Sequence, residues 1–201
     1  MKYNILLILF CLNISYGQEK KTKSILSFKP EFSIYAIIPN NFGENYLAKA
    51  NKPHIGIGTN LNFIQVQHFK LGIGYDFISY SITDVTKAGN IGSSRYNSVY
   101  GLLGYEIKLS NELYLQPYLG FGSVKLNFKS GDRSFGYQTG NDFRIGFNLD
   151  YKLDKTISAF AGLGYVSTNY DVKTAAEYIS FYDNSKMLQI NLGIKLKFVN
   201  D

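Results

Sequence analysis

Leu188-Gln-Ile-Asn-Leu-Gly-Ile-Lys-Leu-Lys-Phe198 alternates without a break between apolar and polar residues. Leu188, Ile190, Leu192, Ile194, Leu196 and Phe198 share one face of an extended chain, and Gln189, Asn191, Gly193, Lys195 and Lys197 share the other. Side chains of a strand repeat every two residues, so this is a strand with one face for an apolar medium and one for a polar medium. The alternation recurs upstream and predicts eight strands in all: Leu26–Ile38, Ile55–Val66, Phe69–Ile82, Tyr96–Leu109, Leu113–Phe128, Phe143–Leu153, Ile157–Ser167 and Leu188–Phe198. Each is long enough for a tilted strand to cross a bilayer, which takes about 9–11 residues.

The connections alternate in length. Gln67-His68, Ser110-Asn111-Glu112 and Asp154-Lys155 are tight turns, and long loops fall at 39–54, 83–95, 129–142 and 168–187. Short periplasmic turns and long outer loops describe an all-β, eight-stranded antiparallel up-and-down transmembrane barrel.

Charge decides which face meets lipid. Phe32, Ile34, Ile57, Leu61, Ile73, Phe77, Leu103, Leu119, Phe121, Ile145, Phe147 and Leu163 share a face that carries no charge until Lys125, in a chain that is 18% charged. The other face holds Glu31, Asn60, Asp76, Tyr100, Glu106, Gln116, Arg144, Asn148 and Asp150, with many glycines between them. Glycine weakens a strand, and a narrow interior shared by large and small residues gives the reason for it. A soluble barrel enclosing a ligand would turn the apolar face inward. That face is too rich in aromatics and leucines for a small cavity, and the other is too rich in glycine for a solvent face. Pro30 and Pro117 fall inside predicted strands, where a missing N–H is hard to hide.

The N-terminus reads as a secretory signal over residues 1–17: Lys2, the apolar run Ile5 to Leu12, and Ser15-Tyr16-Gly17 as a cleavage site. Residues 18–201 then form the barrel domain. Cys11, the only cysteine, lies within the apolar run, so the mature chain offers neither disulfides nor thiolate ligands. The net charge of +6 suits anionic lipid headgroups, and an exported chain implies no nucleic-acid partner.

Asn191-Leu-Gly-Ile-Lys-Leu-Lys-Phe198 resembles the insertion signal of bacterial outer-membrane barrels: Asn191, Gly193, Leu196 and Phe198 match its polar, glycine, hydrophobic and terminal aromatic positions. The tail Val199-Asn200-Asp201 departs from that pattern. In pattern the whole mature chain is similar to the small eight-stranded outer-membrane barrels, the OmpA/OmpX-type group. The resemblance implies insertion by the barrel-assembly machinery, an outer-membrane location and a monomer. Function does not follow from fold.

Catalytic, cofactor and metal sites are not expected. His68 falls in a periplasmic turn, and His54 at an outer rim is followed by Ile55 and Gly56, not by a nucleophile motif. The aspartates lack the spacing of an oxygen-ligand loop. Inside, Glu31 and Lys195 face each other across the first and last strands and are expected to pair, with Arg144 taking another acceptor. Phe28, Phe69, Tyr105, Tyr151 and Phe198 predict one aromatic girdle, and Phe77, Phe121, Phe143 and Tyr165 the other. Lys70, Lys108, Lys152, Lys155, Lys195 and Lys197 are placed towards periplasmic headgroups. In the last loop Tyr170, Tyr178, Phe181 and Tyr182 offer a contact surface for an extracellular partner, or pack on one another, or extend the seventh and eighth strands above the membrane. The functional expectation is a structural or surface-interaction role around a plugged polar lumen. The alternative is a narrow porin-like channel or a conduit for a small hydrophobic ligand.

Overall fold

The computed structural model describes residues 26–131 and 133–198. The expected signal peptide, Asp132 and the tail Val199-Asn200-Asp201 lie outside the described residues. Eight strands form a ring: β1 (Glu31–Phe42), β2 (Gly56–Val66), β3 (Phe69–Ile82), β4 (Ser93–Tyr105), β5 (Leu113–Ser130), β6 (Arg133–Lys152), β7 (Ile157–Asp171) and β8 (Asn184–Lys197). Each pairs antiparallel with its neighbours in sequence, and β8 closes on β1 from Lys186 opposite Phe42 to Lys197 opposite Glu31. Closure removes every free edge. Short helices α1 (Tyr46–Lys49), α2 (Val85–Ala88) and α3 (Ile179–Tyr182) lie in the outer connections.

The strands outrun the alternation, mostly at the loop end. β1 continues to Phe42, β4 begins at Ser93, β5 reaches Ser130, β6 begins at Arg133, β7 reaches Asp171 and β8 begins at Asn184. Beyond the lipid both faces of a strand meet water, so the apolar-polar rhythm fades while backbone pairing continues. The expected loop 129–142 is therefore corrected: β5 and β6 stay paired above the membrane and turn at Gly131, whose φ is +57°.

The two prolines behave differently. Pro30 lies outside the ring; β1 starts at Glu31, and Leu26–Ser27 pair with Val66 and Gln65 of β2. Pro117 stays within β5 opposite Tyr105. The Glu106 N–H donates to His68 O at 2.8 Å, so Tyr105 turns its own backbone groups towards β5, and its carbonyl faces a proline nitrogen that cannot donate. Pairing lapses there and resumes at Ile107 opposite Leu115 in the same register as Gly104 opposite Tyr118.

Ile34, Ile57, Ile73, Leu103, Leu119, Ile145, Leu163 and Leu192 are exposed on the outer wall. Phe69, Tyr105, Tyr151 and Phe198 ring one end of this belt, and Phe121 and Phe143 stand near the other. A contiguous belt of this kind is unfavourable in water and is the surface a membrane-spanning barrel presents. The inner wall alternates bulk with glycine. A Cβ on Gly58 would overlap the Tyr35 ring, and one on Gly74 the Tyr100 ring, so each tyrosine lies across the lumen only because its neighbour has no side chain.

Candidate functional site

The lumen is filled in three layers. Nearest the periplasmic end, Lys70 Nζ donates to both carboxylate oxygens of Glu31 at 2.9 Å and to Glu106 Oε2 at 2.5 Å. Lys197 Nζ lies 3.7 Å from Glu31. Beside them Lys195 pairs with Asp150 and donates to Gln116 Oε1 at 2.8 Å. The expected Glu31–Lys195 pair is thus replaced by two others. Register puts Lys197 opposite Glu31 and Lys195 opposite Ser33. Each long side chain then reaches past the adjacent strand to the next but one, Lys70 from β3 to β1 and Lys195 from β8 to β6. Lys70 and Lys195 are buried inside the barrel at its periplasmic end, so neither is among the lysines there that can reach lipid headgroups.

The middle layer centres on Arg144. Its Nη1 donates to Asp76 Oδ2 at 2.7 Å, and its Nη2 donates to Asp142 Oδ2 at 2.6 Å and to Ser98 Oγ at 2.9 Å. The guanidinium carbon lies 3.5 Å from the centroid of the Tyr100 ring. Tyr35 donates to Asp76 Oδ1 at 2.7 Å, Tyr100 to Asn60 Oδ1 at 2.7 Å, and Tyr96 and Ser98 to Asp142 Oδ2 at 2.7 and 2.6 Å. Both carboxylates are fully buried. Burying each charge costs several kcal/mol unless it is paired and hydrogen-bonded, and this constellation supplies both. Asp76 and Asp142 are the acceptors that sequence reading left unnamed. Both stand at even positions on the polar face, like Arg144; Asp142 is two residues from Arg144 on the same face of β6, whereas only register brings Asp76 of β3 to it. The enclosed space among Tyr35, Asn60, Tyr100, Arg144 and Asn191 is about 10 Å³, no more than one water needs.

The outer layer is apolar, unlike the uniformly polar lumen expected from sequence. Ile37, Ile78, Tyr80, Tyr96, Val124, Leu126, Val166, Tyr170 and Met187 point inward and are buried against Tyr46, Leu47 and Ala50 of the first outer connection. Asn45 caps α1 by accepting from Ala48 N–H at 3.0 Å, and its amide donates to Phe42 O at 2.8 Å, which folds this connection down into the mouth. Tyr46 Oη lies 3.2 Å from Ser94 Oγ, and its ring packs edge-on against Phe128 and Phe181. Tyr182 stacks on Tyr46 with centroids 5.4 Å apart and donates to Lys87 O at 2.7 Å. Burial pushes the Tyr46 and Tyr182 phenols above their usual range, so both stay neutral.

Of the four aromatics expected at a loop surface, Tyr170 lies inside the lumen with its Oη 3.5 Å from Ser185 Oγ. It occupies an inward position of β7, which runs further out than its alternation showed. Phe181 and Tyr182 are half-buried in the seal, and Tyr178 is exposed. Asn191 faces the lumen, while Leu196 and Phe198 are exposed on the outer wall. Gly193 sits where a Cβ would press on the Tyr35 side chain. His54 and Ser81 approach to 2.7 Å on the exposed rim; among the described residues no side chain holds the other ring nitrogen of His54. No group of three or more metal-ligating side chains occurs among the described residues.

Neither protein-family models nor curated proteins match the chain. Solved structures do. The neisserial surface protein A is 11% identical with a TM-score of 0.62, covering 86% of this chain and 99% of its own. A major outer membrane protein from Thermus thermophilus is 12% identical with a TM-score of 0.54, covering 84% and 99%. The outer membrane protein AlkL is 12% identical with a TM-score of 0.53, covering 92% and 97%. At such identities the likeness is one of fold. Fold and apolar belt together make this chain an outer-membrane β-barrel of the small eight-stranded kind.

Proposed function

We propose that the protein is a sealed, non-conducting outer-membrane barrel with a structural or surface-interaction role, exported by the N-terminal signal and acting through its outer face. The observation that carries this reading is the apolar layer that closes the outer mouth above two layers of mutually neutralised charge. An ion entering from outside meets packed tyrosine, leucine and isoleucine side chains, and one entering from the periplasm meets Lys70 and Lys195, each already held by carboxylates. Eight-stranded barrels enclose a space that side chains just fill, which supports a plug over a pore. No reaction is assigned: among the described residues the His54–Ser81 pair has neither a third group to orient the ring nor a buried setting.

Refolded protein reconstituted in planar bilayers tests the proposal through single-channel recording. Silence from barrels shown to be folded by circular dichroism is expected. Discrete, reproducible current steps would overturn the reading and make the layer around Arg144 a gate.

A further inference from the structure

The outward faces of β4 and β5 carry cations that the lumen does not use. Arg95 stands opposite Asn127, and Lys125 and Lys129, two residues either side of Asn127, are its diagonal neighbours. Such neighbours lie roughly 7–8 Å apart, within reach of one anion for side chains this long. Arg95 and Lys125 are exposed and Lys129 is half-buried. None of the three is bonded to a carboxylate among the described residues, whereas the outer-end lysines Lys49 and Lys87 are paired with Glu44 and Asp84. Lys125 Nζ sits 4.0 Å from the centroid of the Tyr137 ring, which holds that cation in place without neutralising it.

Two grooves meet below these cations on the same wall. The upper one, about 470 Å³, is mixed: the polar side chains of Asn97, Ser123, Thr139 and Asn141 line it beside Val99, with Lys125 at its rim and Asp171 on its far side. Directly beneath lies an apolar groove of about 310 Å³, formed where Gly101 leaves the wall without a side chain between Leu71, Leu103, Phe121 and Phe143. From the outside inwards, this one stretch of wall therefore presents cations, hydroxyl and amide groups, and then an apolar trough at the height of the lipid. That order matches an amphiphile with a phosphorylated sugar head.

We propose that the wall formed by β4, β5 and β6 is a binding site for a phosphorylated glycolipid of the outer leaflet. Its phosphate is held by Arg95, Lys125 and Lys129, its sugar lies in the upper groove against Asn97, Ser123, Thr139 and Asn141, and an acyl chain lies in the trough at Gly101. Arg95 presents a fork suited to phosphate oxygens, while the two lysines act as point charges. Asp171 faces the sugar end, where a carboxylate accepts from hydroxyls and repels a misplaced phosphate. The site does not depend on whether the barrel conducts, so it stands or falls separately from the sealed-lumen reading.

The test titrates the refolded full chain in detergent micelles with a bis-phosphorylated glucosamine-disaccharide lipid, its dephosphorylated form, and the soluble deacylated sugar phosphate. Arg95→Gln, Lys125→Gln and Lys129→Gln are each expected to weaken binding of the phosphorylated lipid about fivefold, the scale for one cation at an anionic lipid surface. Gly101→Leu fills the trough and is expected to weaken binding without altering charge. Lys186→Gln, an exposed cation near the outer end of β8, serves as the control and is expected to leave affinity within about twofold. Circular dichroism verifies that each variant is folded. The proposal is overturned if Lys186→Gln weakens binding as much as Lys125→Gln, since the attraction would then be diffuse. It is also overturned if the dephosphorylated lipid or the deacylated sugar phosphate binds as tightly as the intact lipid.

Discussion

Replacing Arg144 with methionine keeps most of the side-chain volume and removes the cation shared by Asp76 and Asp142. Both carboxylates would remain in the lumen, fully buried. Removing one partner of a buried pair costs about 3–5 kcal/mol, because the other charge is left uncompensated. Here two charges are stranded, but neither is bare. Asp142 keeps the Tyr96 and Ser98 hydroxyls at 2.7 and 2.6 Å, and Asp76 keeps the Tyr35 hydroxyl at 2.7 Å. These donors favour the ionised form and offset part of the loss, so the expected destabilisation is about 3 kcal/mol. With a urea slope near 2 kcal/mol/M, the unfolding midpoint should fall by about 1.5 M. The chain has no tryptophan, so far-UV circular dichroism in micelles and the gel mobility of unheated samples follow unfolding. The triple variant Arg144→Met, Asp76→Asn, Asp142→Asn removes all three charges and should recover more than half of the lost stability. If Arg144→Met is as stable as the parent, or the triple variant is no better than the single one, the electrostatic account of the middle layer is wrong.

Two further predictions concern the wall and the loops. A Cβ at Gly146 would press on Leu163 O, on Gly164 Cα at 2.8 Å and on Tyr118 Oη at 2.7 Å, so Gly146→Ala should cost about 1–3 kcal/mol in the same urea assay. On the outer wall the nearest atom to a Cβ at Gly101 is Phe121 O at 3.9 Å, and Gly101→Ala should stay within about 0.5 kcal/mol of the parent; equal effects at both glycines would contradict the inward-outward assignment. At α2 the hydrogen bonds from Lys87 and Thr86 hold the Asp84 carboxyl down at about 2. A depressed carboxyl contributes fully above the ordinary aspartate value, about 3.9, and loses its contribution as pH falls through 2. The Thr86 amide signal, which reports the 3.0 Å bond to Asp84 Oδ1, should therefore titrate near pH 2, and a midpoint near 4 would count against the cap.

Strand number, pairing order and the inward or outward sense of nearly every residue could be read from the alternation, because a barrel wall separates two media and the side-chain period records both. The same cause sets the limit of that reading. Where lipid ends the outer medium is water, the contrast disappears, and the strand continues unannounced. Tyr170 shows the consequence: placed in a loop by its sequence surroundings, it is an inward residue of β7 packed beneath the loops. The ion pairs were legible only in part. Parity put Glu31, Asp76, Arg144, Asp150 and Lys195 inside, but which of them meet depends on stagger around the barrel, and a period of two carries no information about stagger. Pro117 was an anomaly for the reason sequence supplied, and backbone pairing resolves it by lapsing opposite Tyr105.

Where the charge ends up narrows what the barrel can do. Glu31, Asp76, Glu106, Asp142 and Asp150 meet Lys70, Arg144, Lys195 and Lys197 in the lumen layers, so the interior is balanced to within one negative charge. The chain as a whole has 21 lysines and arginines against 15 aspartates and glutamates. Among the described residues the positive excess is therefore carried by residues outside the lumen. A pore selective for anions or cations would concentrate an unbalanced charge along its path. Here the path is balanced to within one charge and its outer end is apolar, while the cations Arg95, Lys125 and Lys129, unpaired among the described residues, gather on the outside of one wall, just above the lipid. Electrostatic recognition in this molecule thus belongs to its outer surface, and an anionic ligand meets its first free cations beside the barrel mouth, not within it.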